Sequence, residues 1–104
     1  MELITLRKNE IIAKTYYDYL GDKKLSELSF KEKEDGKKEI KKKLELNYGR
    51  VFPIERINLF FDLMEQDGYT VQQVRDCFEN IIRYHPFPNF TYADLTNPTY
   101  NRKL

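Results

Sequence analysis

The residues of this sequence that could do chemistry are few, beginning with its only cysteine and its only histidine, Cys77 and His85. A thiol and an imidazole form a nucleophilic dyad only when the two side chains lie within hydrogen-bond reach. If both residues lie on one helix, their side chains project about 80° apart and are separated by roughly 12 Å along the axis. The spacing therefore predicts no dyad. We expect Cys77 in the core or at its edge and His85 at a helix C-terminus, where its charge suits the dipole.

Five carboxylates lie between residues 62 and 79, and their spacing matches neither a metal site nor an acid–base pair. They fall on the predicted polar faces of two helices, and the scattered glycines form no phosphate-binding loop. We therefore expect a protein that is not an enzyme, with no catalytic residue, no metal and no cofactor. The carboxylates are Asp62, Glu65, Asp67, Asp76 and Glu79.

The one basic cluster contains five lysines in seven residues. Lysines bind phosphates by charge alone, without sequence preference and with an affinity that falls as salt rises. Acidic residues surround the cluster, and on a helix some of them would pair with the lysines at i,i+4. A solubilising helix face and a weak site for nucleic acid or an acidic partner both remain open. The candidate nucleic-acid-binding residues are Lys37, Lys38, Lys41, Lys42 and Lys43.

A helix-turn-helix around residues 67–70 is a further alternative. Gln72, Gln73 and Arg75 at the start of the second helix are residue types that read base edges. Acidic residues later in the same helix and in the helix before it would repel phosphates, which makes this the weaker interpretation.

The segment 84–100, which we call the aromatic strap, has five rings in seventeen residues. Some of these rings are expected to cover the end of the helices, and the surplus to form an exposed patch that docks onto another protein. Phe90 and Tyr92 are the expected anchors, because a capping box fixes the local turn and could aim both rings outward. The candidate partner-binding residues are Tyr84, Phe87, Phe90, Tyr92 and Tyr100.

Helical spacing of apolar residues predicts the elements that would position these side chains. A first helix is expected from about Arg7 to Leu20, with Gly21 as a left-handed cap. A second is expected over Lys37–Tyr48, because lysine and glutamate favour helix over strand. The turn dipeptide Asp35-Gly36 leaves a β-hairpin over residues 30–48 as the alternative.

Two further helices have clear predicted ends. One begins at Pro53 and stops at Asp67-Gly68. The next begins at the capping box of Thr70 and Gln73 and ends near Tyr84, ahead of a proline. The short turn between them predicts an antiparallel or steeply crossed pair.

The strap should close with a short helix, and the apolar stripes define a core. The helix is expected at Tyr92–Leu95 behind a second capping box, followed by a break at Asn97-Pro98 and a flexible tail over residues 96–104. The expected core is Ile57, Phe60, Phe61, Met64, Val74, Phe78, Ile81 and Ile82, closed by Ile12, Tyr16 and Leu20.

Length and composition predict the fold class: all-α, a small bundle of about four helices in one domain over residues 1–104. The chain has 104 residues, 34% of them charged, and residues 30–50 could pack loosely. A net charge of +1 does not indicate a strongly basic nucleic-acid binder. No apolar run of about 18 residues is present and the N-terminus does not resemble a secretory leader, so we expect a cytoplasmic protein without a membrane partner.

The order of features over residues 53–95 resembles the small phage and mobile-element helicase loader-and-inhibitor proteins. The resembling pieces are ERINLFFDLMEQ, the connection DGY, TVQQVRDCFENIIRYH and the ending FPNFTYADL, which is similar to that family's Phe-Pro-x-x-x-Asp-Ile/Leu ending. The resemblance implies an all-helical adaptor whose partner is a replicative helicase or another replication protein.

The sequence as a whole predicts a non-enzymatic adaptor or inhibitor that binds another protein. The resemblance points to DNA replication and to a replicative helicase. Two alternatives remain open: a weak, sequence-independent nucleic-acid-binding regulator that uses Lys37–Lys43, and an inhibitor of another host protein. The sequence does not predict the oligomeric state.

Overall fold

The computed structural model describes the backbone of residues 20–101 and the side chains of residues 20–99. This part of the chain forms an all-helical bundle, as predicted, and has no strand beyond one isolated antiparallel bridge between Lys24 and Thr70. None of the helices between residues 20 and 101 is long and apolar enough to cross a membrane. The elements are a 3-10 turn (Leu25–Glu27), α1 (Phe30–Tyr48), α2 (Ile54–Gln66), α3 (Val71–Tyr84), α4 (Tyr92–Leu95) and α5 (Pro98–Asn101).

Helix α1 begins at Phe30, seven residues earlier than predicted. Ser29 and Glu32 form a capping box: the Ser29 hydroxyl accepts from the Glu32 N–H at 3.1 Å, and the Glu32 carboxylate accepts from the Ser29 N–H at 2.9 Å. The helix runs on through Asp35-Gly36, so the hairpin alternative is wrong. Gly36 is an interior residue of this helix, and a side-chain carbon added there would lie 3.7 Å from the Phe61 ring, an ordinary van der Waals contact.

Helices α2 and α3 have the predicted ends. Pro53 is the N-cap of α2, and Gly68 adopts a left-handed φ of 77° just after the helix. At the start of α3 the Thr70 hydroxyl accepts from the Gln73 N–H at 3.2 Å, and the Gln73 side chain accepts from the Thr70 N–H at 2.9 Å. Helix α3 ends at Tyr84.

Two other predicted ends differ from the structure. Gly21 is helical and has no positive φ, so the left-handed cap at that position is wrong. A side-chain carbon added there would lie 3.4 Å from the Gln72 amide oxygen, at the edge of ordinary van der Waals contact. After the break at Asn97 the chain forms the one-turn helix α5. The predicted helix over residues 7–20 lies outside the described residues except for its last residue.

The core is formed by side chains of α1, α2 and α3, by Leu25 of the 3-10 turn and Phe52 ahead of α2, and by two residues of the C-terminal segment. Phe78 of α3 contacts both Phe60 and Phe61 of α2, with ring centroids 6.2 Å apart in each pair. Of the predicted core, Ile82 and Leu20 are half-buried and Ile12 and Tyr16 lie outside the described residues, whereas all the others are buried. The buried set also includes Leu25, Ile40, Leu44, Phe52, Cys77, Phe90 and Leu95.

Candidate docking site on the aromatic strap

Phe90 lies on the inner side of the strap and is only 1% exposed. Its ring stacks between two others, with centroids 5.5 Å from Phe60 and 5.7 Å from Phe52. The prediction that Phe90 is an exposed anchor is therefore wrong. The reason is physical: Phe52 and Phe60 form an apolar slot, and filling it removes a large ring from water.

Tyr92 is also turned inward. The capping box of Thr91 and Asp94 forms as predicted, with N–H to side-chain distances of 2.9 and 3.2 Å. The resulting turn stacks the Tyr92 ring on Phe60 at 6.5 Å, and the Tyr92 hydroxyl donates to the Asp67 carboxylate at 2.6 Å. Burial, followed by this carboxylate, raises the pKa of Tyr92. Tyr92 therefore ties α4 to the end of α2, and its prediction as an outward anchor is wrong.

Of the strap rings that the structure describes, Tyr84 and Phe87 remain exposed, by 54% and 62% respectively. They flank His85-Pro86, directly after the end of α3. Arg83 and Glu79 form an exposed ion pair of 3.6 Å on the last turns of that helix, close in sequence to the rings. The side chain of Tyr100, the fifth predicted ring, lies outside the described residues.

Arg56 of α2 clamps the strap from the inside. Its guanidinium donates to the carbonyl of Pro88 at 2.6 Å and to the carbonyl of Phe90. The same group lies 4.6 Å from the ring centroid of Phe52 and 5.3 Å from that of Phe60. These distances are within cation–π range. Burial lowers the pKa of Arg56, but a guanidinium stays charged in proteins, so the strap is held by charged hydrogen bonds.

His85 fixes the other end of the exposed segment. Its carbonyl accepts from the Tyr48 hydroxyl at 2.9 Å, and its Nδ1 lies 2.8 Å from the carbonyl of Phe87. Since a carbonyl can only accept, this contact requires a proton on Nδ1. The backbone is thus held by Tyr48 of α1 at His85 and by Arg56 of α2 at Pro88. The exposed ring of Phe87 stands between these two attachments.

The sequence analysis missed Arg56 and Tyr48, which position the strap. One signal was available for Arg56, because it precedes Phe60 by four residues and so belongs beside the apolar stripe of α2. For Tyr48 the sequence indicated only a position on one face of α1. Neither pattern reveals a contact to strap carbonyls more than thirty residues away.

Three of the five clustered lysines are engaged in ion pairs within α1. The Lys37 amino group lies 3.3 Å from the Glu34 carboxylate. The Lys41 amino group lies 2.8 Å from Glu45, and that of Lys43 lies 3.7 Å from Glu39. These pairs match the predicted solubilising face. The Lys41 hydrogen bond, followed by the N–H of Phe52, lowers the pKa of Glu45.

The other two clustered lysines, Lys38 and Lys42, are exposed and form no ion pair with any residue between 20 and 99. Lys31 shares these properties, and the helical repeat places all three within about 40° of one another around α1. The basic surface of α1 is therefore this row of three lysines and not the whole cluster.

The residues that suggested a helix-turn-helix have contacts inside the protein. The Gln72 amide donates to Asp76 at 2.9 Å, and the Gln73 side chain caps α3. Arg75 lies 3.6 Å from Glu39 of α1. These side chains could read base edges only if the contacts broke. The geometry therefore does not favour a helix-turn-helix that binds DNA.

Cys77 is a residue of α3, and its side chain is buried in the core, as predicted. Burial, with a smaller contribution from Asp76, raises the pKa of its thiol to about 11. A thiol of this kind is protonated at neutral pH and is a poor nucleophile. Within residues 20–99 no group of three or more His, Cys, Asp or Glu side chains is placed to hold a metal ion.

Comparisons of the chain with protein-family models, with curated proteins and with solved structures gave no match. The resemblance to helicase loaders consequently rests on the residues quoted for it and remains a hypothesis.

Proposed function

We propose that this protein is a non-enzymatic adaptor or inhibitor that binds another protein through Tyr84 and Phe87. The observation that carries the proposal is that both rings are exposed on a backbone clamped from inside by Arg56 and Tyr48. A clamped segment loses little conformational entropy when a partner binds it. Exposed aromatic rings with a polar rim are also the residues that dominate protein interfaces.

A replicative helicase is the partner that we propose to test first, with the protein acting in the cytoplasm on DNA replication. This choice follows from the resemblance over residues 53–95 to loader and inhibitor proteins of phages and mobile elements. The helicase would offer an apolar pocket for the two rings. The exposed pair of Arg83 and Glu79 would form part of the polar rim around it.

The test measures the affinity of purified protein for the purified replicative helicase of the source cell by calorimetry. The double variant Tyr84→Ala, Phe87→Ala should bind at least about tenfold more weakly, because each aromatic anchor contributes upwards of roughly 2 kcal/mol. The matched control is Phe30→Ala. Phe30 is 80% exposed and begins α1, whereas Tyr48 at the other end of α1 contacts the strap. The two ends are roughly 27 Å apart, so the control should bind like the wild type.

Equal binding by the double variant and the wild type would contradict the docking site. Complete failure to bind the helicase would remove the helicase as partner and leave the inhibitor of another host protein as the remaining protein-binding candidate. In that case the same two variants apply to the partner identified by affinity capture and mass spectrometry.

A second candidate function is weak, sequence-independent nucleic-acid binding through α1. The observation that favours it is the row of Lys31, Lys38 and Lys42, which have no ion-pair partner among the described residues. Changing Lys38 and Lys42 to Glu should abolish binding to a mixed-sequence single strand in a fluorescence anisotropy titration. The wild-type affinity should fall steeply with salt. Tight binding to one sequence, insensitive to salt, would contradict this candidate.

A further inference from the structure

The imidazole ring of His85 lies between two acceptors that belong to different parts of the strap. Its Nδ1 is 2.8 Å from the carbonyl oxygen of Phe87, and its Nε2 is 3.7 Å from a carboxylate oxygen of Asp94 in α4. The ring also packs edge-on against Phe90, with centroids 6.0 Å apart. Only 17% of the His85 side chain is exposed, so protein surrounds most of the ring.

These two acceptors suit the charged ring better than the neutral one. A neutral imidazole has one N–H, which the contact to Phe87 places on Nδ1, and its Nε2 then presents a lone pair to the negative charge of Asp94. An imidazolium ring has an N–H on each nitrogen, so it donates to Phe87 and attracts Asp94 at the same time. Histidine is also the side chain whose charge ordinarily changes between about pH 5 and pH 8.

The charged and titratable groups around His85 come from several helices. Hydrogen bonds within the cap of α4 lower the pKa of Asp94, so its carboxylate stays ionised where a histidine titrates. Tyr48 of α1 donates to the His85 carbonyl and stays neutral, because burial raises its pKa. On α3 itself, Arg83 is paired with Glu79. Asp94 is therefore the group whose charge favours protonation of the ring.

Arg56 of α2 is the nearby cation, and its charge opposes protonation of His85. Its guanidinium lies 5.1 Å from the centroid of Phe90, the ring against which His85 also packs. The carbonyls of Pro88 and Phe90, which accept hydrogen bonds from this group, offset part of its charge. A test must therefore remove the attraction of Asp94 and leave Arg56 in place.

We propose that protonation of His85 orders the docking site, because the charged ring ties the Phe87 turn (residues 85–88) to α4. Nδ1 holds the carbonyl of Phe87, and Nε2 attracts Asp94 of the helix that follows. The exposed ring of Phe87 then stands on a backbone that loses less entropy on binding, so docking strengthens as the pH falls. This consequence rests on the proposed function, whereas the tie between the turn and α4 does not.

The pH range from 7.5 to 5.5 isolates this ring. His85 is the only histidine of the chain. Carboxylates ordinarily titrate near pH 4, and tyrosines and lysines near pH 10. The pKa of the Cys77 thiol is raised to about 11, so it stays protonated. The α-amino group also titrates near this range, but it is the same in every variant.

The first test compares Asp94→Asn with the wild type in the full chain. Asparagine removes the charge that faces Nε2 but keeps an oxygen that can cap α4. From pH 7.5 to pH 5.5 the wild type should gain about 2–4 °C in Tm relative to Asp94→Asn, because its charged ring has a carboxylate partner in the folded protein. Equal pH dependence of the two proteins would overturn the proposal.

The matched control is Asp62→Asn, which removes the same charge elsewhere. Asp62 is exposed and forms no ion pair or hydrogen bond with any residue between 20 and 99. This variant should show the pH dependence of the wild type. If Asp62→Asn changes the pH dependence of Tm as much as Asp94→Asn does, the effect is one of net charge and the proposal is wrong.

Nuclear magnetic resonance of the wild type keeps the test decisive if Asp94→Asn does not fold. The ¹³C resonances of the Phe87 carbonyl and of the Asp94 carboxyl group should shift with the same midpoint as the ring protons of His85. If neither resonance moves while the ring titrates, the proposal is overturned.

Calorimetry with the purified replicative helicase tests the consequence for docking. Because the helicase also titrates, the wild type and Asp94→Asn are compared with each other at each pH. Asp94→Asn should bind about threefold more weakly at pH 5.5 and equally at pH 7.5. The same ratio of affinities at both pH values would overturn the effect on docking. If neither protein binds the helicase, that partner is excluded, and the Tm and resonance measurements still decide whether His85 ties the turn to α4.

Discussion

The guanidinium of Arg56 lies 5.1 Å from the ring centroid of Phe90 and also donates a hydrogen bond to the carbonyl of the same residue. One side chain of α2 thus holds both the ring and the backbone of the inner strap residue. This arrangement gives the strap two sides. Phe90 faces the core, and Phe87, three residues earlier, is left on the outside.

We expect Arg56→Lys to destabilise the protein by about 1–3 kcal/mol, because an ammonium group cannot reproduce a planar fork that reaches two carbonyls and stacks on rings. The free energy of unfolding from urea denaturation measures this. Arg50→Lys is the control, since Arg50 is exposed and should change stability by less than about 0.5 kcal/mol. A similar small change in both variants would show that the clamp contributes nothing.

Phe90→Ala should lower the stability of the protein, whereas Phe87→Ala should weaken partner binding. Removing the buried ring of Phe90 should cost about 3–5 kcal/mol of stability, because it leaves a cavity beside Phe52 and Phe60. Removing the exposed ring of Phe87 should cost less than about 0.5 kcal/mol and should weaken partner binding instead. Thermal unfolding followed by circular dichroism separates the two, and a lower Tm for Phe87→Ala would place that ring in the core.

Gly36→Ala should stabilise the protein by roughly 0.5–1 kcal/mol, because glycine in a helix interior costs about that much relative to alanine. The added methyl group would lie 3.7 Å from the Phe61 ring, an ordinary van der Waals distance. Gly49→Ala is the matched control and should destabilise by about 1–2 kcal/mol, since Gly49 has a φ of 69°. Destabilisation by Gly36→Ala would argue that α1 is interrupted at that residue.

Acid should destabilise the protein partly through Glu45. Its carboxylate accepts from Lys41 and from the Phe52 N–H, and these bonds lower its pKa below the ordinary value. A lowered folded pKa contributes stability above the unfolded pKa, and this contribution is lost as pH falls through the folded pKa. The Tm of Glu45→Gln should therefore fall less than that of the wild type when the pH is lowered from 7 to 3.

The control for the acid prediction is Glu55→Gln. Glu55 is exposed and makes no hydrogen bond or ion pair within residues 20–99. The Tm of Glu55→Gln should follow that of the wild type from pH 7 to pH 3. Parallel Tm curves for Glu45→Gln and the wild type would mean that Glu45 does not contribute to acid sensitivity.

The Cys77 thiol should react very slowly with an aromatic disulfide reagent at pH 8. Burial raises its pKa to about 11, so only about one thiol in a thousand is ionised at that pH, and the buried sulfur is also inaccessible. Adding urea past the unfolding midpoint should restore the rate of an ordinary thiol. Rapid reaction of the folded protein would contradict the placement of Cys77 in the core.

The sequence by itself determined the class of fold and most helix ends. A capping box involves residues three positions apart, so Thr70 with Gln73 and Thr91 with Asp94 could be identified without tertiary information. The signal for the start of α1 was equally local, since Ser29 and Glu32 form the same capping box. The sequence analysis began this helix at Lys37, just after the turn dipeptide Asp35-Gly36, and did not use the cap.

Only the tertiary structure decided which rings of the strap are buried. Phe87 and Phe90 have the same residue type and similar proline-rich surroundings, so no local pattern distinguishes them. Their difference arises from residues distant in sequence: Phe52 and Phe60 form the slot for one ring, and Arg56 fixes the backbone that delivers it. Burial of a ring depends on a cavity of matching shape, and such a cavity exists only once the helices that form it have packed together.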